Sequence, residues 1–530
     1  MASQGILMLF FSFLCCHGLK STEVPGDQFG KGVIHIGDIE LREVSTFTRI
    51  WSPGLLPAGG ATFYSPSSLP SGFFPLGSHA QPHNPNPLPR RALIARDTSH
   101  SSSPSLAAPA GFTLLFSTNS SPSAHFWLPL PPPGYTPVGH LITASPQKPL
   151  LSSIRCVRDD LLDPCQAGGG PIWSTTSSGH QFTVHLPDSL GTFLARAAPG
   201  GGGALPLACF KTNALTLAAM MPNLTQITAM IQTHAPWFHF HPDEPYLPSS
   251  VSWFFNNGAL LYTNATPNSP VRIDPAGDIL PQGGANDGAY WLDLPVDPSS
   301  QQFVKAGNLS SAKAYIHVKP VTSIASTDIV FWLFYPFNGA AKAKVEFVNI
   351  GLGRLGEHVG DWEHVTQRFS NFDGELKQMY FSQHSSGSWV DAADLEYDAG
   401  GSRPAAYATL HGHAFYPKAG LVLKGEVEKG IGLMDLTAKG GPAMDAADGA
   451  DVVSAEYLGV EEPPWLQYMR EWGPKLTYDE AKELERAMRF LPGKLKQALR
   501  NLVNKLPPEL LGEEGPTGPK EKASWNGDEA

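Results

Sequence analysis

The sequence predicts a mainly β chain: an N-terminal β-prism-like repeat domain, a second β-rich domain, and a short helical extension at the C-terminus. Three observations predict it. Glycine (53) and proline (49) are abundant and spread through all 530 residues, which suits short strands joined by turns. Short motifs recur at a fixed offset in the first 210 residues. Later apolar runs are brief or alternate with polar residues, and apart from one short segment the chain turns helical only after about residue 461. A chain this long exceeds what one core usually serves, so two or three domains are expected.

Residues 1–21 carry the apolar run Ile6 to Leu14, long enough for a signal peptide and too short to span a bilayer. No basic residue precedes it, and Cys15 and Cys16 leave acylation as an alternative. The expectation is entry to the secretory pathway or vacuole; the alternative is a cytoplasmic or peripheral membrane protein. No later segment is apolar enough to be transmembrane. A formal charge of −11 without a long basic run makes nucleic acid an unsuitable partner.

The repeat domain is placed at 30–210. Gly72-Phe-Phe-Pro-Leu-Gly77 is echoed by Gly134-Tyr-Thr-Pro-Val-Gly139, Phe63-Tyr-Ser-Pro66 by Phe126-Trp-Leu-Pro129, and Ala95-Arg-Asp97 by Val157-Arg-Asp159. Recurrence at a fixed period means one structural unit used more than once. A third copy is faint, from Ile172-Trp173 to Phe193-Leu194. Repeated small sheets about an axis make a β-prism. Cys156 and Cys165 could pair, although five cysteines do not make a disulfide scaffold. Ala198-Pro-Gly-Gly-Gly-Gly203 reads as a boundary.

The second domain is placed at 216–475. A helix is expected from about Leu215 to His234, then a strand through His239 and His241. Asp243 and Glu244 sit between prolines, where ordinary turn residues are the simplest reading. Further strands are expected at Tyr315–Val318, Ile329–Tyr335, Gln378–His384 and Tyr407–His413. Residues 476–530 give an amphipathic helix over Tyr478–Phe490, interrupted by Pro492 and Gly493, and a polar tail lying over a surface.

The chemistry concentrates in Gly356-Glu-His-Val-Gly-Asp-Trp-Glu-His364. On a strand, residues two apart share a face, so Asp361 and Glu363 would present their carboxylates side by side. Like charges that close need a compensating cation, arginine, shared proton or open water. A solvated loop running into an edge strand is the plainer alternative.

Phe240-His-Pro-Asp-Glu-Pro-Tyr-Leu-Pro-Ser-Ser-Val-Ser-Trp-Phe-Phe255, the central stretch through Thr366, and Gly512-Glu-Glu-Gly-Pro-Thr-Gly-Pro-Lys520 resemble the plant family named after vacuolar protein sorting-associated protein 62. The resemblance runs from about residue 30 to the end. It implies a vacuolar sorting link without a biochemical activity. The central stretch also resembles, more distantly, the Gly-His-Arg-His-Asp-Trp-Glu motif of the necrosis- and ethylene-inducing cytolysins. That resemblance implies a β-sandwich with a divalent-cation site used on membrane sphingolipids. His358 matches the motif's first histidine; Asp361, Trp362 and Glu363 match its end; Gly360 replaces the second histidine. Asn338 stands where a further aspartate ligand would be, and Ser382-Gln-His384 resembles a stretch after the motif.

The site expected from these residues is one divalent cation (magnesium, manganese or calcium) shared by His358, Asp361 and Glu363, completed by Asn338 and water. The function expected is a vacuolar-sorting-related, non-enzymatic binding protein that recognises a membrane lipid headgroup or a glycan. A metal-dependent hydrolase using Asp361 or Glu363, with His384 or His411 as acid, is one alternative. A trafficking adaptor without a small-molecule site is the other. The sequence lacks a nucleophile elbow, a phosphate loop and a His-Glu-x-x-His motif, which favours binding over catalysis.

Overall fold

The repeated segments fold into three three-stranded antiparallel sheets: Phe47–Trp51, Ala61–Pro66 and His79–Pro82; Gly111–Ser117, His125–Leu130 and Leu141–Thr143; Trp173–Ser177, His180–His185 and Leu194–Ala198. The faint third copy is thus a full sheet. Each sheet sends aromatic side chains inward, and Trp51, Phe63, Phe126, Trp173, Phe182 and Phe193 form one shared core. Most of these rings meet edge to face, the geometry that aromatic quadrupoles prefer. A closed ring of backbone hydrogen bonds ties the sheets together. The Ser78 N–H donates to the His140 carbonyl (2.8 Å), His140 N–H to Phe193 (2.9 Å), and Phe193 N–H to Ser78 (3.2 Å). The repeated glycines make room for this ring. A Cβ on Gly139 would lie 2.7 Å from the Leu76 carbonyl oxygen and 2.8 Å from Thr192.

The structure is a computed structural model, and it describes residues 29–529 except 54–59, 83–90, 100–102, 166–170, 178–179, 187–190, 199–206, 322–323, 385, 399–400, 402, 476–479, 490, 504–514 and 528. The expected leader and the glycine-rich boundary at 198–203 lie wholly or mostly outside these residues. Beside the aromatic core, the four-stranded sheet of Ile34–Ile36, Ile39–Val44, Ala92–Asp97 and Phe74–Pro75 packs on Ile324, Phe372 and Met220 of the second part.

The second part is built on a six-stranded sheet. Its order is Ser386–Asp391, Leu376–Gln383, His358–Ser370, Ser326–Asn338, Tyr315–Pro320 and Asp451–Ser454. Ser326–Asn338 reads as a nearly unbroken apolar run because both its faces are buried. Leu333, Tyr335 and Val365 pack with Phe238, Ala406 and Phe415 of a facing four-stranded sheet. On the other face, Phe334 and Trp362 pack with Phe254, Trp465 and Trp472. The central motif therefore lies on an interior strand, and the edge-strand alternative fails.

Several boundaries differ from those the sequence predicts. The helix expected to run to His234 is two helices, Ala214–Met220 and Leu224–His234. Pro222 separates them, since it lacks an amide hydrogen, and Asn223 caps the second with a reciprocal bond to Gln226. The strand expected over Tyr407–His413 ends at Ala408, because His411 and His413 take left-handed backbone conformations at φ 74° and 56°. Cys156 is a free, buried thiol and does not pair with Cys165; Cys209 is the disulfide-bonded cysteine. The C-terminal helices are Glu480–Met488 and Gly493–Val503, packed on the small sheet that contains Lys342–Val345. The polar tail is a strap: Pro519, Ser524 and Glu529 are buried against the second part. Among the described residues no single helix is long and apolar enough to cross a membrane.

Candidate functional site

The central strand loses its neighbour part-way along. Leu376–Gln383 pairs with it only as far as Val365 opposite Phe381. The next amide on that edge, His364 N–H, is taken by Ser382 Oγ (3.2 Å). Beyond that point the edge of Asp361–His364 opens into a cavity of about 610 Å³, a size suited to a small molecule. The C-terminal strap from Gly515 to Ser524 forms another part of its wall.

Asn338, His358, Asp361 and Glu363 all line this cavity. The strand register explains it: Asn338 lies opposite His358, Tyr335 opposite Asp361, and Leu333 opposite Glu363. Gly360 sits between them at φ 69°, and its Cα lies so close to the Trp472 carbonyl that a Cβ would clash at 2.4 Å. Glycine is required there on both counts. Trp362 points the other way and is fully buried, stacked on Trp465.

Asp361 finds its compensating charge inside the protein. His413 Nδ1–H donates to Asp361 Oδ2 at 3.0 Å. The other ring nitrogen donates to the Tyr246 carbonyl (3.1 Å) and lies 3.8 Å from Glu244. Burial alone would lower the His413 pKa, but its bonds to Asp361 and Glu244 outweigh that and hold it up at about 9. The imidazolium is stacked flat on Tyr335 at 3.8 Å. Burial would likewise raise Asp361, yet the His413 bond and nearby positive groups hold it below the ordinary carboxylate value. Glu244 is buried, accepts from the His411 and Tyr246 amides, and is held low by His413. Glu244 is therefore a buried anchor, a role its sequence setting between prolines did not predict, while Asp243 is the exposed turn residue expected there.

Glu363 has no such partner. Burial first, and then the charge of Asp361, push its pKa up to about 7. Ser382 donates a short hydrogen bond to its Oε2. Across the cavity His384 donates to Asp435 (3.0 Å), which Tyr416 also caps. Burial opposes protonation of His384, but Asp435 prevails and raises its pKa. His384 takes φ 47°, so His384, His411 and His413 are all left-handed near this cavity. Strain of this kind persists where the surroundings over-determine it, commonly at functional sites. Asp435, Tyr416 and Lys522 were not singled out by the sequence, because no motif in their own segments marks them.

Carboxylate, amide-carbonyl and imidazole groups are donor types that hard divalent cations take. His358 Nδ1 donates to the Gly360 carbonyl (2.9 Å), which leaves Nε2 as a lone pair. Among the described residues, Asp361 Oδ1 and Glu363 Oε1 carry no hydrogen bond, and Asn338 uses its amide nitrogen on the Gly339 and Gly356 carbonyls, leaving its oxygen. Among the described residues no three His, Cys, Asp or Glu side chains are placed so that they could hold a metal ion together.

A family model for vacuolar protein sorting-associated protein 62 matches residues 12–529. The chain belongs to this family. A curated relative, the putative vacuolar protein sorting-associated protein TDA6 of Saccharomyces cerevisiae, is 26% identical over 301 residues, covering 47% of this chain and 60% of the relative. Among solved structures, GNIP1Aa from Chromobacterium piscinae aligns at 18% identity and a TM-score of 0.28, over 37% of this chain and 40% of its own. Necrosis and ethylene inducing protein 2, from the causal agent of witches' broom disease of cocoa, aligns at 15% identity and a TM-score of 0.20. That alignment covers 43% of this chain and 74% of its own.

Proposed function

We propose that this chain is a non-enzymatic binding protein of vacuolar sorting, whose central cavity takes a membrane lipid headgroup or a glycan with the help of a divalent cation. The observation that carries the reading is the convergence of Asn338, His358, Asp361 and Glu363 on one cavity of small-molecule size. The cation would be held by Glu363, His358, Asn338 and the free oxygen of Asp361, and would supply charge to Glu363, a buried carboxylate without an ion pair among the described residues. Ligand hydroxyls or an anionic group would complete the shell. The working place is the secretory pathway or vacuole, which a fluorescent fusion checks by its compartment.

The test is a melting curve of the full chain with chelator and with magnesium, manganese or calcium. A cation that binds only the folded state raises the midpoint with concentration. Glu363→Gln and Asp361→Asn should each weaken that rise. An unmoved wild-type midpoint with every cation overturns the cation.

One observation favours a second reading. Glu363 is poised near neutrality on a cavity that His384 and Asp435 also line, as a general base should be. Hydrolysis of glycoside or ester substrates that Glu363→Gln abolishes would establish it.

A further inference from the structure

The cavity's charged groups divide into those already engaged and those that are not. Asp361 is bonded to His413, Glu363 to Ser382, and Asp435 to His384 and Tyr416. Lys342 and Lys522 also line the cavity, and among the described residues neither has an ion pair within 4 Å or a side-chain hydrogen bond. Glu521 is the one lining carboxylate equally uncommitted. The two lysines come from unrelated elements. Lys342 opens the strand Lys342–Val345, while Lys522 lies on the C-terminal strap. Lys522 is half-buried, and its charge reaches Asp361 and Glu363, partly opposing the burial that raises both carboxylates.

An ammonium group that lines a cavity without a hydrogen bond or close ion pair of its own is poised for a ligand that carries its counter-charge. We infer that the ligand carries an anionic group, a phosphate monoester or carboxylate on a polyol, and that Lys522, with Lys342 on the same cavity, receives it. This rests on the binding reading of the cavity and adds the ligand's class to it. The strap then has a role in recognition: its Lys522 supplies the anion subsite, while the central strand supplies the polar wall that faces the polyol.

The test is calorimetric titration of the full chain with glucose 6-phosphate, glucose and inorganic phosphate, with and without magnesium. Wild type should bind glucose 6-phosphate more tightly than glucose. Lys522→Gln should weaken glucose 6-phosphate about tenfold or more, the worth of one charge-assisted hydrogen bond, and leave glucose within about twofold. Lys522→Arg should restore binding. Flotation with phosphatidylcholine vesicles containing phosphatidylinositol 4-phosphate identifies the source. Binding lost in Lys522→Gln assigns a lipid headgroup; vesicles ignored while the sugar phosphate binds assign a soluble ligand. Equal affinity for glucose and glucose 6-phosphate, unchanged in Lys522→Gln, overturns the anion subsite and leaves the cavity reading standing. If cations still raise the melting midpoint but no probe binds, the anion subsite alone falls. If neither cations nor probes act, the binding reading falls with it.

Discussion

His413 and Trp362 test the site from its two sides. His413 is completely buried between Asp361 and Glu244, so its loss leaves two carboxylates without their cation. Breaking a buried charge network by removing one member typically costs about 3–5 kcal/mol. His413→Ala should therefore lower denaturant stability by about that amount, and Asp361→Asn by less, since a neutral amide still accepts from the ring. Equal stability of His413→Ala and wild type would show that the network is not load-sharing. Trp362 lies on the opposite face, with Trp465 at 5.4 Å and Trp472 at 5.1 Å. Trp362→Ala should cost about 3–5 kcal/mol through the cavity it leaves. A melting curve indistinguishable from wild type would contradict that packing. The sequence made the pairing of Asp361 with Glu363 legible, because a strand's period of two needs no knowledge of the fold. It did not make the compensation legible. His413 lies 52 residues after Asp361 in the chain, and Glu244 lies far before it, so only the packing of the two sheets brings them together.

The three sheets of the first part depend on their junction, and two experiments probe it. Gly139→Ala would place a Cβ 2.7 Å from a backbone oxygen that cannot move away cheaply, so the ring of hydrogen bonds should open and the first part should melt earlier. His140 sits in the same junction, and its Nδ1 accepts from the Ala195 amide at 3.0 Å. Burial lowers its pKa from 6.5 to about 4. The unfolded chain therefore binds the proton more readily than the folded one. The stability this contributes is fully present above about pH 6.5 and is lost as the pH falls towards about 4, amounting to about 3 kcal/mol. Denaturant titrations from neutral to acid pH should show the decline in wild type and a flatter profile in His140→Gln. A wild-type profile as flat as the variant's would contradict the buried neutral ring. The repeat itself was legible where Pro-x-Gly motifs recur, as at Gly72–Gly77 and Gly134–Gly139. The third sheet was faint because Gly191-Thr192 preserves the tight junction without repeating the flanking letters. Helix and strand ends were less legible. The reversal at His411 and His413 defeats an alternating pattern that would otherwise read as a strand.

At the scale of the whole molecule, the last residues hold the second part together and complete its cavity. Glu529 receives Lys319 Nζ at 2.8 Å and the Thr366 hydroxyl at 2.8 Å, and its backbone carbonyl accepts from the Trp389 indole at 3.0 Å. Both charged side chains are buried, Lys319 at 7% and Glu529 at 1% exposure. Four residues earlier, Trp525 lies flat on His317 at 3.8 Å. A buried pair is costly to break and inexpensive to replace by apolar groups. Glu529→Ala should therefore destabilise the chain by about 3–5 kcal/mol, leaving Lys319 buried and alone. The double variant Lys319→Met, Glu529→Leu should recover most of that loss. These variants leave Lys522 in the sequence, so the double variant should retain the cavity's ligand binding while the destabilised single variant loses it in proportion to strap release. Hydrogen exchange of the Trp525 and Lys522 amides reads that release directly. If Glu529→Ala keeps both amides protected and its stability unchanged, the ion pair does not anchor the strap, and the stack of Trp525 on His317 is left as the contact that does.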